Sequence, residues 1–208
     1  MQFFKLSSIF LLASAVTAGP TKLSTSLKLT LTESPWSGYA STLSKTLGTV
    51  KLSTVMAKAS LDHDGVAQSP SSPFSHEWQF TAADNKDTQW YPQGITSTAD
   101  SLDTGLVDGV EALLFSWYHK GDQGVRVGFM NMNNRDYVYA LLVEPTSGDN
   151  YKALKNLHAG GIMWYGTKLY VVDTYKGIRI FDMSKIMKVT AGSGIGKSGG
   201  KYYAHGYK

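Results

Sequence analysis

From about Glu77 onward, apolar positions fall in short runs cut by Gly, Asn and Asp, the pattern of β-strands joined by tight turns. Residues 112–118 are an apolar, aromatic run, residues 119–124 read as a turn, and Val125, Val127 and Phe129 then alternate with Arg126, Gly128 and Met130. Alternation with period two is that of a strand with one buried face, so these runs are predicted to be the arms of a hairpin. Residues 131–136 supply the next turn, because Asn and Asp tolerate left-handed backbone angles, and residues 137–143 a further strand that Pro145 ends. Residues 93–96 predict an earlier strand. Before Glu77 the pattern is weaker. Leu27, Leu29 and Leu31 alternate like a half-buried strand, while Leu43, Leu47, Val50 and Leu61 fit one side of a helix.

The β pattern then recurs in compressed form. Residues 161–164, 169–172 and 178–181 read as strands separated by turns at 165–168 and 174–177, so that Gly94-Ile95 matches Gly161-Ile162 and Val125-Arg126-Val127 matches Ile178-Arg179-Ile180. The polar insertion 97–108 absorbs the difference in length, and a third copy is expected to begin at residues 203–207. A period of about 40 to 50 residues per four-stranded unit is that of propeller blades. The predicted fold class is therefore all-β, mainly antiparallel, with partial β-propeller-like blades; the alternative is a small β-sandwich. Propellers close with roughly four to eight blades. A chain holding two and the start of a third is expected to be C-terminally truncated, to associate with copies of itself through an open sheet edge, or to fold its lead-in over the gap.

The start of the chain changes the picture. Lys5 precedes an apolar stretch over 6–16, too short to span a bilayer, and Val16-Thr17-Ala18 places small residues before Gly19-Pro20. This is the layout of a cleavable secretory signal over residues 1–18. It is followed by a lead-in rich in Ser, Thr and Lys over 19–74, closed by the turn-forming Gln68-Ser69-Pro70-Ser71-Ser72-Pro73, and by a propeller-like β domain over 75–208. The 208-residue chain has no cysteine, so its stability outside the cytosol must come from packing, to which 12 Tyr, 8 Phe and 5 Trp contribute. The formal charge of +4 is dispersed along the chain, where a nucleic-acid groove would concentrate it. No nucleic-acid partner is expected, nor any membrane contact after signal cleavage. The sequence has no Asn-x-Ser/Thr acceptor for N-glycosylation.

The runs Trp90-Tyr91-Pro92-Gln93-Gly94-Ile95-Thr96, Leu141-Leu142-Val143-Glu144-Pro145, His158-Ala159-Gly160-Gly161-Ile162-Met163-Trp164-Tyr165-Gly166 and Leu169-Tyr170-Val171-Val172-Asp173-Thr174-Tyr175-Lys176-Gly177-Ile178-Arg179-Ile180-Phe181-Asp182 resemble a family of uncharacterised, secreted, propeller-like proteins of filamentous fungi and actinobacteria. The resemblance covers roughly Glu77 to Lys208. It implies export and a longer propeller-like parent, and brings no catalytic residues with it.

Candidate chemistry is sparse. Residues 191–198 satisfy a relaxed phosphate-loop pattern and Gly196-Lys197-Ser198-Gly199-Gly200 a Gly-x-Ser-x-Gly pattern, but both motifs need a helix to follow, and Gly199-Gly200-Lys201-Tyr202-Tyr203 does not form one. The stretch is read as a flexible interblade loop. Asp62-His63-Asp64-Gly65 is read as a polar turn, because Val66 and Pro73 stand where a calcium loop needs oxygen ligands. His158 and His205 are predicted to open neighbouring inner strands, where two imidazoles can share a metal or a ligand. Trp90, Tyr91, Trp164 and Tyr165 are candidates for an aromatic platform that stacks sugar rings. Asp173 and Asp182 have the placement of turn-capping aspartates, and Arg179 is expected to pair with a carboxylate on an adjacent strand. No motif requires a cofactor, and metal use is undetermined. The expected function is a secreted, non-enzymatic protein binding a cell-wall polysaccharide or a host protein. The alternatives are a propeller-type hydrolase or lactonase with a channel metal held by His158, and a fungal virulence effector.

Overall fold

The computed structural model describes residues 36–57, 77–146 and 148–207. The signal segment, the Leu27–Leu31 alternation, Leu61, the 62–65 turn and the 68–73 linker lie outside them. Helices α1 (Trp36–Leu47) and α2 (Leu52–Val55) come first, followed by α3 (Ala82–Lys86), whose start is capped by the Thr81 hydroxyl accepting from Asp84 N–H. Strands β1 (Trp90–Ser97), β2 (Ala112–His119), β3 (Val125–Asn131), β4 (Tyr137–Pro145) and β5 (Tyr151–Ala153) form an antiparallel meander in chain order, with the short helix α4 (Thr98–Ser101) inside the predicted insertion. Strands β6 (Ile162–Tyr165), β7 (Lys168–Asp173) and β8 (Gly177–Asp182) form a second meander, and β9 (Ile195–Ser198) pairs with β10 (Lys201–Ala204) in a hairpin. The fold is thus mainly antiparallel β with open sheets, as the alternation predicts.

Register explains the core. Phe115 stands opposite Gly128, which stands opposite Tyr139, and Trp117 opposite Arg126 opposite Leu141, so these side chains share one face of the meander. Trp90, Phe115, Trp117, Met130, Tyr137 and Tyr139 are buried there under Phe80, whose ring meets Phe115, Trp117 and Tyr137 at 4.8–5.9 Å. The opposite face carries Leu114, Val125, Val127 and Phe129 against Leu154, Leu157, Trp164, Leu169 and Val171. Both faces of β3 are therefore buried, Arg126, Gly128 and Met130 included, and the predicted in-and-out alternation does not divide core from solvent.

The lead-in is part of this packing. Leu52 and Met56 join the core that the two meanders share, and Leu43 is 1% exposed against Tyr151 and Tyr202. The two meanders meet along β1 and β6. Thr96 Oγ1 accepts from Trp164 N–H at 3.1 Å and donates to Asp100 Oδ2 at 2.9 Å, while Ser101 donates to the Gly166 carbonyl at 2.7 Å. Gly94 is required by this approach, because a Cβ there would sit 2.8 Å from the Gly160 carbonyl oxygen.

Two sequence expectations fail at the C-terminal end. Residues 203–207 do not open a third copy: β10 folds back on β9, and Ala204 bridges to Tyr207 across a turn in which His205 has φ +56°. The glycine-rich 191–198 stretch is not a free loop between blades. Its last four residues are strand β9, and the Asn150 side chain accepts from Lys197 N–H at 2.7 Å and ties that strand to the main meander. A strand, not a helix, follows it, which is the reason neither the phosphate-loop nor the hydrolase-elbow geometry is built.

Candidate functional site

Four of the candidate residues, Trp90, Tyr91, His158 and His205, gather at one end of the five-stranded meander. Trp90 pairs with His119 and Tyr91 with Tyr118, and because neighbours along a strand point to opposite faces, the two pairs face opposite ways.

On the first face a cation is boxed by rings. The Arg126 guanidinium lies 3.7 Å from the centre of Tyr139, 4.6 Å from Trp90 and 4.7 Å from Trp117. It donates to Tyr207 Oη at 2.9 Å and to Asp84 Oδ1 at 3.3 Å, while its Nε is buried without a hydrogen-bond partner. Tyr137 donates a short hydrogen bond to Asp84. Burial and that bond push its phenol up to about 12. The His205 ring lies 5.8 Å from Trp90 and 5.9 Å from His119. Burial, then the neighbouring His119 and Arg126, hold His205 below the ordinary histidine value. The His119 Nδ1 accepts from Gly121 N–H at 2.9 Å, which orients the ring at the start of the β2–β3 turn. Beyond His205 a cleft of about 480 Å³ opens, with Asp122, Gln123 and Gly121 of that turn on one wall and Ser193 and His205 on the other, and with Lys155 also at its rim.

On the second face three rings stack. Tyr91 and Tyr118 lie 5.6 Å apart at 26°, and His158 lies 4.4 Å from Tyr118 at 21°. His158 precedes β6 in a loop that its flanks hold in place. Leu157 and Ala159 are buried, Ser116 donates to the Ala159 carbonyl at 2.7 Å, and Asn156 N–H donates to Asp122 Oδ1 at 2.6 Å. Asn156 and Ala159 both take positive φ, so the loop projects His158 alone from between two anchors.

The structure therefore brings Tyr91 to His158 through Tyr118, and Trp90 to His205 beside His119. It does not bring His158 to His205, which contact opposite faces of β2, and it does not assemble the four-residue aromatic platform. Trp164 is 1% exposed in the core, whereas Tyr165 is 66% exposed at the β6–β7 turn. Among the described residues no three His, Asp or Glu gather as metal ligands. Sequence reasoning missed Tyr118, His119, Asp122 and Arg126. The available signal was a lone arginine in the middle of an apolar, aromatic hairpin, whose burial requires partners.

No helix among the described residues is long and apolar enough to cross a membrane. Comparison with protein-family models, with curated proteins and with solved structures finds no match to the chain.

Proposed function

We propose that this chain is an exported, non-enzymatic binding protein that holds a cell-wall polysaccharide at the β1–β2 end of its five-stranded sheet. The observation that carries the reading is the ring column Tyr91–Tyr118–His158, set in advance by a pinned loop and sharing that loop with a cleft lined by Asp122, Gln123 and Lys155. Sugar rings offer apolar C–H faces to aromatic rings, and the ring column, with His158 exposed at its end, suits them. A site ordered before the ligand arrives also loses little entropy on binding.

In the same proposal the scaffold is propeller-like, with the two meanders as adjacent blade units and β1 and β6 as their inner strands. What supports this is that Gly94-Ile95 lies on β1 and Ile162, directly after Gly161, opens β6, the two strands along which the meanders meet. Export rests on the signal pattern of residues 1–18.

Calorimetric titration of the purified protein with cell-wall oligosaccharides tests the binding. Saturable binding is expected, with Tyr91→Ala weakening it at least about tenfold while circular dichroism stays unchanged. Retention of no wall glycan by the folded protein overturns the reading.

A further inference from the structure

The second meander has one face in the core and one in solvent, and the solvent face is apolar too. Trp164 of β6 and Leu169 and Val171 of β7 are buried, so the residues that alternate with them point outward. Register sets those outward residues in three rows across the sheet. Val172 stands opposite Ile178, Met163 opposite Tyr170 opposite Ile180, and Tyr165 opposite Lys168 opposite Asp182. Antiparallel sheets that face water on one side carry polar side chains there. Here Ile178 is 62% exposed, Val172 52% and Met163 51%, with Tyr165 and Ile180 exposed beside them. The charge on this face is closed on itself. Lys168 and Asp182, at one end of it, lie 3.0 Å apart, and Lys185 meets the same carboxylate at 2.6 Å.

We propose that this face is where two copies of the chain meet, outer face against outer face about a two-fold axis, so that β6, β7 and β8 of each copy form one layer of an intermolecular sandwich. The area fits. At ordinary side-chain sizes Met163, Tyr165, Val172, Ile178 and Ile180 leave on the order of 500 Å² facing water, against about 300–600 Å² for the largest patch on a typical monomer. With Tyr175 at the β7–β8 turn and the rim of Lys168, Tyr170 and Asp182, the face approaches the roughly 800 Å² that each partner gives to a standard interface. Its chemistry favours a second copy over other occupants. Val172, Ile178 and Ile180 are β-branched aliphatics, which interdigitate as the inner layers of a sandwich do. Sugars are held by stacked rings, and anionic membranes by unpaired cations, whereas Lys168 is already engaged. A two-fold axis sets the same patch against itself, so the patch must carry no uncompensated like charge, and the Lys168–Asp182 pair meets that condition. The inference does not rest on the glycan reading, whose rings lie on β1, β2 and the loop before β6.

Sedimentation equilibrium of the purified protein, without glycan, over about a hundredfold range of concentration reads the contact. The weight-average mass is expected to rise from one chain toward two, and to do so equally in high salt, because apolar burial is not screened. Ile178→Lys places a cation at a position exposed in the single chain, so circular dichroism should stay unchanged, while the two-fold axis brings two such cations to one interface. It is expected to weaken association at least about tenfold. Val172→Lys, its cross-strand neighbour, gives the same reading if Ile178→Lys does not fold, and Ile178→Val should keep most of the association. A single-chain mass at every concentration overturns the proposal, as does association that both lysine variants leave unchanged or that high salt abolishes. A single chain that co-sediments with phosphatidylcholine–phosphatidylserine vesicles would assign the face to lipid and overturn it as well. Because no glycan is present, failure here leaves the binding reading standing, and failure to bind glycans leaves the two-fold contact standing.

Discussion

Gly128 illustrates how much one missing side chain decides. It lies on β3 directly opposite Phe115, and a Cβ built on it would stand 2.1 Å from Phe115 Cε2, so the ring occupies the space that any larger residue needs. An aromatic laid across a cross-strand glycine packs a position that glycine alone would leave loose. Gly128→Ala is expected to lower stability by about 3 kcal/mol in urea denaturation, through overpacking. Phe115→Leu in the same chain should return part of that loss, because the two positions are coupled. Additive losses in the double variant would show that the clash is relieved elsewhere. Arg126 makes the complementary point: its position in the alternation was legible, its burial was not, because alternation says which residues share a face and nothing about what covers that face.

At the scale of elements, the turn of the β7–β8 hairpin is organised by one carboxylate. Asp173 accepts from Tyr175 and Lys176 N–H in the turn and from Arg179 Nε at 2.6 Å, while Arg179 reaches Glu144 on β4 at 3.2 Å and so links the two sheets. The Asp173 side chain is 1% exposed. Burial alone would raise its proton affinity, but the hydrogen bonds from Arg179, Tyr175 and Lys176 outweigh it and hold the carboxyl below its ordinary value. A carboxylate depressed in the folded state contributes stability above its unfolded value near 3.8, and that contribution is lost as the pH falls through the folded value. Asp173→Asn is accordingly expected to cost about 2 kcal/mol at pH 7, with the gap to the parent chain closing below about pH 4 in thermal or urea titrations. A gap constant with pH would assign the loss to turn geometry instead of charge. This element was largely legible beforehand, since a turn-capping aspartate and a cross-strand arginine are local features of the sequence. The Glu144 contact joins positions that only packing makes neighbours.

For the whole molecule the question is whether two meanders and the helices before them behave as one body. Leu52 and Met56 of the lead-in, Val125 and Phe129 of the first meander and Leu169 and Val171 of the second share one cluster of buried side chains, and Thr96 ties β1 to β6 through a buried hydrogen bond. Domains that share a core unfold together. Far-ultraviolet circular dichroism, which reports the strands, and tryptophan emission are expected to give coincident urea transitions; two separated transitions would mean that the meanders fold independently. What the sequence determined by itself was local: strand runs and their turns, the all-β class, the signal pattern of residues 1–18, and the short list of rings and histidines worth watching. Those follow from side-chain period, turn chemistry and charge within a few residues. Only the tertiary structure decided which rings share a face, that His158 and His205 part company across β2, that Arg126 is enclosed by Trp90, Trp117 and Tyr139, and that residues 203–207 turn back on β9. Each of these depends on strand register and on contacts between residues distant in sequence, which are fixed by the burial of both sheet faces together and have no signature in any single stretch of chain.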